Sequence, residues 1–299
     1  MKAVVAAKGA TRYPSPVPMS LSMPVSIVAV VNQKGGVGKT TTAVNLAASL
    51  AVAEVPTLLV DMDPQGNASS GVGVQPRTTT RSIYECLIGR ARLEDVVVPT
   101  AIAGLDLAPA TQDLVAAEIE LIDEPDRASR LAGVIEKAMS RGAKYQQIII
   151  DCPPSLGLLT VNALVAARRV IVPLQCEFYA LEGLTYLMDT IDRVKRGLNP
   201  NLDIAGIVLT MFDPRNNLAH QVADEVRKHF FVYNAVVPRN IRLSEAPSHG
   251  KPIVLYDARS KGCEAYLALA REYLDTERAA LSALSALATL PTTKPAESA

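Results

Sequence analysis

The chain has 299 residues with 30 basic and 30 acidic side chains, so overall charge does not attract it to nucleic acid, and any DNA contact needs a local basic patch. Hydrophobic residues make up 49% and aromatic residues 4%, without Trp, which provides a sizeable core but excludes a base-stacking platform for single strands. The four cysteines are far apart and form no Cys-x-x-Cys pair, which is typical of a reduced, cytosolic protein with buried thiols.

The two ends of the chain differ from the rest in composition. Residues 1–24 contain four prolines and scattered serines, so we expect a flexible N-terminal extension. Residues 25–290 alternate strand and helix patterns and are expected to form a single domain, and residues 291–299 a loose polar tail. Because no apolar run approaches a membrane-spanning length, the sequence predicts a cytoplasmic location.

The first predicted strand leads into a glycine-rich turn and then a helix. The apolar run 25–31 is followed by Gly35, Gly36, Val37 and Gly38, and an apolar helical pattern covers residues 40–53. Glycine lets the backbone curl so that its N–H groups point inward. Such N–H groups at a helix N-terminus bind phosphate, so this turn is a predicted phosphate-binding loop.

Two lysines flank this loop. Lys39 supplies a positive charge for the β- and γ-phosphates, and the hydroxyl of Thr40 is placed to bind Mg²⁺. The usual loop pattern begins with glycine, but here that position is Gln33, and a second lysine, Lys34, follows it. The sequence therefore predicts a nucleotide site with a variant phosphate loop.

The later elements predict a doubly wound α/β fold. The strand candidates are nearly continuous apolar runs rich in β-branched residues, as expected for parallel strands buried on both faces. Those strands are residues 56–60, 105–108, 145–150, 170–174, 204–211 and 233–237. The helical patterns between and after them are residues 112–121, 126–140, 158–167, 181–198, 218–229 and 261–290. Alternation of this kind favours a mostly parallel sheet with helices on both faces.

Three aspartates follow predicted strands at the edge where such folds bind ligands. Asp151 follows Ile148, Ile149 and Ile150, an arrangement typical of a carboxylate that reaches Mg²⁺ directly or through water. Asp61 and Asp63 close the strand before it, and we expect at least one of them to be functional. The sequence thus places carboxylates opposite the phosphate loop.

Four motifs in this order resemble those of the ParA-type, Soj-like chromosome-partitioning ATPases. They are the loop 34–40 and the runs 61–67, 151–157 and 238–252, and the similarity covers roughly residues 24 to 275. The resemblance implies ATP and Mg²⁺ as ligands and two subunits that close face to face over two ATP molecules. Residues 1–24 and the C-terminal tail lie outside the similarity.

The resemblance also implies roles for single residues around the phosphates. Lys34 would cross the dimer interface to the other subunit's phosphates and offset charge there, as an arginine finger does. Lys39 would cradle the phosphates within a nest that includes the loop residues Gly35 to Gly38. Thr40 and Asp151 would hold Mg²⁺, and Thr41 would reach the α-phosphate.

Further positions are implied for water, base and DNA. Asp63 would position the attacking water, while Pro238 and Asn240 match positions around the adenine. Arg215 and Arg242 match DNA contacts of an ATP-bound homodimer that grips double-stranded DNA without sequence preference. A centromere-binding partner would stimulate a weak intrinsic hydrolysis, and the protein would associate with the nucleoid. Residues 185–262 hold eleven basic and eight acidic side chains, so this region is only mildly basic.

Three other functions share parts of this pattern. A membrane-associated division-site-positioning ATPase has the same loop but needs a C-terminal amphipathic helix with basic residues. Here Leu281, Leu284, Leu287 and Leu290 recur without a cationic face. An electron-transfer ATPase needs cysteines that bridge an iron–sulfur cluster across a dimer, and only Cys152 lies beside Asp151. A scaffold that binds ATP and hardly hydrolyses it is left open by the sequence.

Overall fold

A seven-stranded sheet forms the centre of the computed structural model, which describes residues 25–288. The expected extension 1–24 and the tail 291–299 lie outside the described residues, as do the last two positions of the helix expected over 261–290. The strands in chain order are β1 Ser26–Val30, β2 Thr57–Asp61, β3 Val98–Pro99, β4 Leu105–Ala108, β5 Gln147–Asp151, β6 Arg169–Gln175 and β7 Asp203–Thr210.

The order of the strands across the sheet is β3-β4-β2-β5-β1-β6-β7. Every neighbouring pair is parallel except β3 and β4, so the predicted mostly parallel sheet is confirmed. The short antiparallel β3 has no counterpart among the predicted strands, because a two-residue edge strand carries no periodic signal. Strand β5 lies between β1 and β2 and is parallel to both, so the carboxyl ends of these three strands meet at one edge of the sheet.

Helices cover both faces of this sheet, as the alternating pattern predicted. They are α1 Lys39–Val52, α2 Asn67–Gly71, α3 Ile83–Leu87, α4 Leu114–Glu120, α5 Arg130–Ser140, α6 Leu158–Ala166, α7 Ala180–Gly197, α8 Asn217–His229, α9 Ile241–Glu245, α10 Ile253–Tyr256 and α11 Lys261–Ala288. Side chains of α3 to α8 pack in one hydrophobic cluster, and those of α1, α2 and α9 to α11 pack in a second cluster on the opposite face. All four cysteines are buried and unbridged.

The strand predicted over 233–237 is wrong. The N–H groups of Tyr233 and Val237 donate to β7 carbonyls at 2.9 Å, but the only bridges are isolated ones at the flanking residues Val232 and Pro238. The N–H groups of Asn234 and Ala235 donate instead to the carboxylate of Glu272 on α11, at 2.9 and 3.0 Å. Because these donors are taken by a side chain, a continuous ladder with β7 cannot form.

The helix α11 supports the helix that carries the phosphate loop. Its buried side chains Tyr266, Leu269, Ala270 and Tyr273 recur at helical spacing and so share one face. The Tyr266 hydroxyl lies 3.2 Å from the hydroxyl of Thr42 in α1. Within residues 25–288, no helix combines the length and apolar character needed to cross a bilayer.

Candidate nucleotide-binding site

The loop between β1 and α1 has the backbone shape that its glycines predicted. Gly36 and Gly38 adopt positive φ angles of 74° and 87°, which side chains with a Cβ rarely tolerate. Gly38 is the N-cap of α1, and no side chain caps the first turn of this helix. The carbonyl of Val37 accepts a 2.8 Å hydrogen bond from the Thr210 hydroxyl at the end of β7. Because no side chain caps them, the N–H groups of the first turn are free to bind an anion.

The side chain of Lys39 is held inside this loop. Its ammonium group donates to the carbonyl of Lys34 at 2.9 Å, and only 6% of the residue is exposed. Burial lowers the pKa of Lys39, while the negative charges of Asp151 and Asp63 act in the opposite direction. A desolvated ammonium group at the base of an anion-binding loop interacts strongly with phosphate, because little water screens it.

Asp151 is the clearest orphaned group among the described residues. It ends β5, is fully buried, and neither carboxylate oxygen has a hydrogen-bond partner in this part of the chain. Burial and the neighbouring charge of Asp61 raise its pKa well above the ordinary value, although the nearby Thr40 hydroxyl and the charge of Lys39 act in the opposite direction. A buried carboxylate without donors is costly, so its geometry fits a group that needs a cation to complete it.

Asp61 lies in register with Asp151 on the neighbouring strand but has a different environment. Its carboxylate accepts hydrogen bonds from the Ser69 backbone N–H and hydroxyl, at 2.8 and 2.7 Å, and from the Asp63 N–H at 3.1 Å. Burial raises the pKa of Asp61 to about 6 despite these donors. Asp61 therefore fixes the start of α2, a role that sequence reasoning missed because its partner Ser69 is eight residues away.

Asp63 is brought into the same site by the hydrogen bond that its N–H donates to the Asp61 carboxylate. It is 7% exposed, and its carboxylate accepts from the Gln65 N–H at 2.9 Å. It contributes to the electrostatic environment of both Lys39 and Asp151. The structure thus brings together Lys39, Asp63 and Asp151 around one edge of the sheet.

Lys34 lies at the outer mouth of the loop. Its ammonium group forms an ion pair with Glu177, which follows β6, and its side chain is 42% exposed. The side chain of Gln33 donates to the carbonyl of Gly183 in α7 at 3.1 Å. The residue that replaces the usual first glycine therefore ties the loop to α7.

Thr40 and Thr41 occupy the first turn of α1, and both line a cavity of about 450 Å³ beside α2 and the segment 246–252. Pro238 and Asn240 line a separate cavity of about 580 Å³ that also includes Phe212. The Phe212 N–H donates to Val237 at 3.1 Å, so this second cavity begins where β7 ends. Because Thr210 at the end of β7 also donates to Val37, this strand end connects the phosphate loop with the second cavity.

The two arginines expected to contact DNA are on the surface and are already paired. Arg215 makes a bidentate pair with Asp213 at 3.0 and 2.9 Å. Arg242 contacts Glu245 at 2.9 Å and Asp257 at 3.4 Å. These exposed pairs are weak and exchange readily with other anions.

The residues present fit a magnesium–nucleotide complex. No group of three or more His, Cys, Asp and Glu side chains within residues 25–288 could enclose a metal ion by itself. Mg²⁺ usually takes one or two protein ligands and completes its shell with phosphate oxygens and water. The unpartnered Asp151 beside the first turn of α1 matches that requirement.

Fold and site together define a P-loop ATPase with a lysine-rich variant loop, and comparison with known proteins agrees. A family described as "AAA domain" matches residues 25–204. The chain is 58% identical over 250 residues to the chromosome partitioning protein ParA of Myxococcus xanthus, covering 83% of this chain and 87% of that protein. It is 53% identical over 248 residues to the sporulation initiation inhibitor protein Soj of Bacillus subtilis, covering 82% and 97%.

Solved structures of other proteins share this fold. A cobyrinic acid a,c-diamide synthase from Mycobacterium smegmatis with bound ADP and magnesium superimposes with a TM-score of 0.75 at 34% identity, covering 86% of this chain and 97% of that one. The cell division ATPase MinD of Pyrococcus furiosus gives 0.69 at 26% identity, covering 84% and 98%. The chain belongs to the ParA/Soj family of chromosome-partitioning ATPases.

Proposed function

We propose that residues 25–290 form one domain that hydrolyses Mg·ATP and so controls a DNA-binding homodimer. ATP closes two copies face to face, the dimer binds double-stranded DNA without sequence preference, and hydrolysis releases it. A centromere-binding partner stimulates this hydrolysis, and the protein associates with the nucleoid. The buried, unpartnered carboxylate of Asp151 beside the phosphate loop is the observation that supports binding of Mg·ATP. The high identity to partitioning relatives supports the proposed dimer, its DNA binding and its partner.

Each group of the nucleotide has a candidate partner in this chain. The N–H groups from Gly35 to Gly38 and the ammonium group of Lys39 bind the phosphates, and Thr41 reaches the α-phosphate. Pro238 and Asn240 border the adenine. Thr40 and Asp151 hold the metal ion, which neutralises charge on the phosphate oxygens. The buried ammonium group and the uncapped helix turn support this assignment.

The chemical step requires positioning and charge, since phosphoryl transfer needs little covalent help from the protein. Asp63 orients the attacking water through its carboxylate, which the bonds to Asp61 and Gln65 hold in place. Lys34 leaves Glu177 and places its ammonium group on the phosphates of the other copy. Its partial exposure and its position at the mouth of the loop support this exchange.

DNA retention tests this function most directly. Retention on double-stranded DNA is measured with ATP, ADP and no nucleotide, beside liposomes under the same conditions. We expect retention on DNA only with ATP and none on lipid. Retention on lipid instead would favour the alternative function, a membrane-associated division-site-positioning ATPase. Of the leucine repeat that bears on that alternative, Leu284 and Leu287 continue helix α11 but their side chains are not described, and Leu290 lies outside the described residues.

Replacing Asp63 separates ATP binding from hydrolysis. Asp63→Ala removes the water-orienting carboxylate but leaves the loop and Lys39, so we expect ATP-dependent dimers that persist while hydrolysis falls about 100-fold or more. Phosphate release and sedimentation measure the two effects. The exposed Asp189→Ala on α7 is the control and should match the wild-type protein. Hydrolysis that continues at the wild-type rate in Asp63→Ala would remove this residue from the mechanism.

Reversing the charge of Arg215 should weaken DNA retention without affecting ATP binding. Arg215→Glu removes one phosphate contact from each copy of the dimer and adds repulsion, so the slope of log affinity against log salt should become shallower by about two. Arg90→Glu makes the same change at another exposed position and should leave the slope unchanged. Equal slopes for both variants would place the DNA surface elsewhere.

A further inference from the structure

Helix α4 carries an exposed row of apolar side chains, here called the α4 ridge. Val115, Ile119 and Ile122 are 57%, 71% and 58% exposed and are spaced so that they share one side of the helix and the turn after it. The opposite side, with Leu114, Ala117 and Leu121, packs in the core. The core therefore does not explain the ridge, and exposed apolar rows of this kind mark interaction surfaces.

The surroundings of the α4 ridge are acidic. Residues 111–126 contain six carboxylates and no basic side chain, and the next residue, Arg127, donates to the carbonyl of Ile122. Glu124 and Asp126 pair with Arg130. Glu120 accepts from the Tyr84 hydroxyl and Asp113 from the Thr111 hydroxyl, which leaves Glu118 and Asp123 as further negative groups beside the ridge. An apolar row bordered by negative charge complements a helix that has apolar residues on one side and Lys or Arg around them.

We propose that the α4 ridge is the docking surface for a cationic amphipathic segment of the stimulating partner, an assignment that rests on the proposed function. DNA and anionic lipid are disfavoured here because both carry the same sign of charge as the rim. A second copy of this chain would bring two acidic rims together, which costs free energy. A basic amphipathic protein segment can pack its apolar side on the ridge and pair its Lys or Arg side chains with the acidic rim.

The α4 ridge is mechanically connected to the nucleotide site. A Cβ on Gly157 would lie 2.5 Å from the Glu118 carboxylate, so α4 packs closely on the loop that follows Asp151. The segment before α4 is also tied down, since the Ala110 N–H donates to the Ser69 hydroxyl, which in turn donates to Asp61. A segment bound on the α4 ridge would thus contact a helix that packs on the loop after β5 and is linked, through Ser69, to Asp61 at the end of β2.

Peptide binding to matched variants tests the proposal. The probe is a fluorescent helical peptide of alternating Leu and Lys pairs, compared with the same peptide carrying Glu in place of Lys. We expect the full-length protein with ATP to bind the Lys peptide at least ten-fold more tightly than the Glu peptide. Val115→Asp and Ile119→Asp should weaken this binding about ten-fold, whereas Val52→Asp, at a valine of α1 that is 48% exposed, should not. Binding should also weaken as salt increases.

Other results would overturn the proposal. If Val115→Asp and Val52→Asp bind the peptide equally, the α4 ridge is not the docking surface. If Val115→Asp abolishes ATP-dependent dimers in sedimentation, the ridge is an interface between copies instead. DNA retention of the wild-type protein is measured in the same preparations. Loss of that retention with intact ridge-dependent peptide binding would contradict the proposed function but leave the docking surface standing.

Discussion

Asp151→Asn is expected to make the nucleotide-free protein more stable while it abolishes ATP hydrolysis. The carboxylate is fully buried without a partner, and burial raises its pKa, so the folded state holds a proton there more tightly than the unfolded chain. The stability of the wild-type protein therefore decreases as pH rises above the ordinary carboxyl value of 3.8. A neutral amide removes this titration, and active sites commonly sacrifice stability in this way.

The gain in stability should be measurable by thermal unfolding in EDTA. We expect the free energy of unfolding of Asp151→Asn to exceed that of the wild type by about 1–2 kcal/mol at neutral pH, and by less near pH 4. Each kcal/mol corresponds to a rise in Tm of about 2–4 °C. Adding ATP and magnesium should raise the Tm of the wild-type protein and leave that of Asp151→Asn nearly unchanged. The exposed Asp189→Asn is the control and should show neither effect. A variant that is less stable than the wild type in EDTA would contradict the role assigned to the orphaned carboxylate.

Lys34→Ala is expected to lower partner-stimulated hydrolysis about a thousand-fold, the loss typical of a missing charge donated across an interface. Binding of ATP by the monomer should change only a few-fold, because Lys39 and the loop N–H groups remain. Phosphate release and calorimetry measure the two quantities, and Lys137→Ala at an exposed position of α5 is the control. Turnover that equals the wild-type rate would exclude a catalytic role for Lys34.

The phosphate loop and the sheet could be predicted from local sequence because their signals are local. Glycines at 36 and 38 are required by the positive φ angles there, and continuous apolar runs suffice to identify most buried parallel strands. The strand boundaries differ from the predicted ones by at most two residues, whereas α5 begins at Arg130, four residues later than predicted. Asp61 and Asp151 are the last residues of β2 and β5 rather than the first residues after them.

Contacts between distant residues account for what sequence reasoning missed. The Glu272 carboxylate interrupts the strand expected over 233–237 from a helix almost 40 residues away. Likewise, the pairing of Lys34 with Glu177 depends on β1 and β6 being neighbours, which sequence order does not reveal. The exposed side of α4 was also invisible, since its apolar residues occur on both the buried and the exposed face.

The central claim, that each site is completed by a lysine from the other copy, is tested by mixing two inactive variants. Lys34→Ala retains its loop but lacks the crossing lysine, while Lys39→Ala cannot bind ATP but still offers Lys34. If Lys34 acts across the interface, the mixture should hydrolyse ATP at up to about a quarter of the wild-type rate although neither variant does so alone, since half of the dimers carry one complete site. A mixture that forms dimers with ATP yet is no more active than its components would contradict the account.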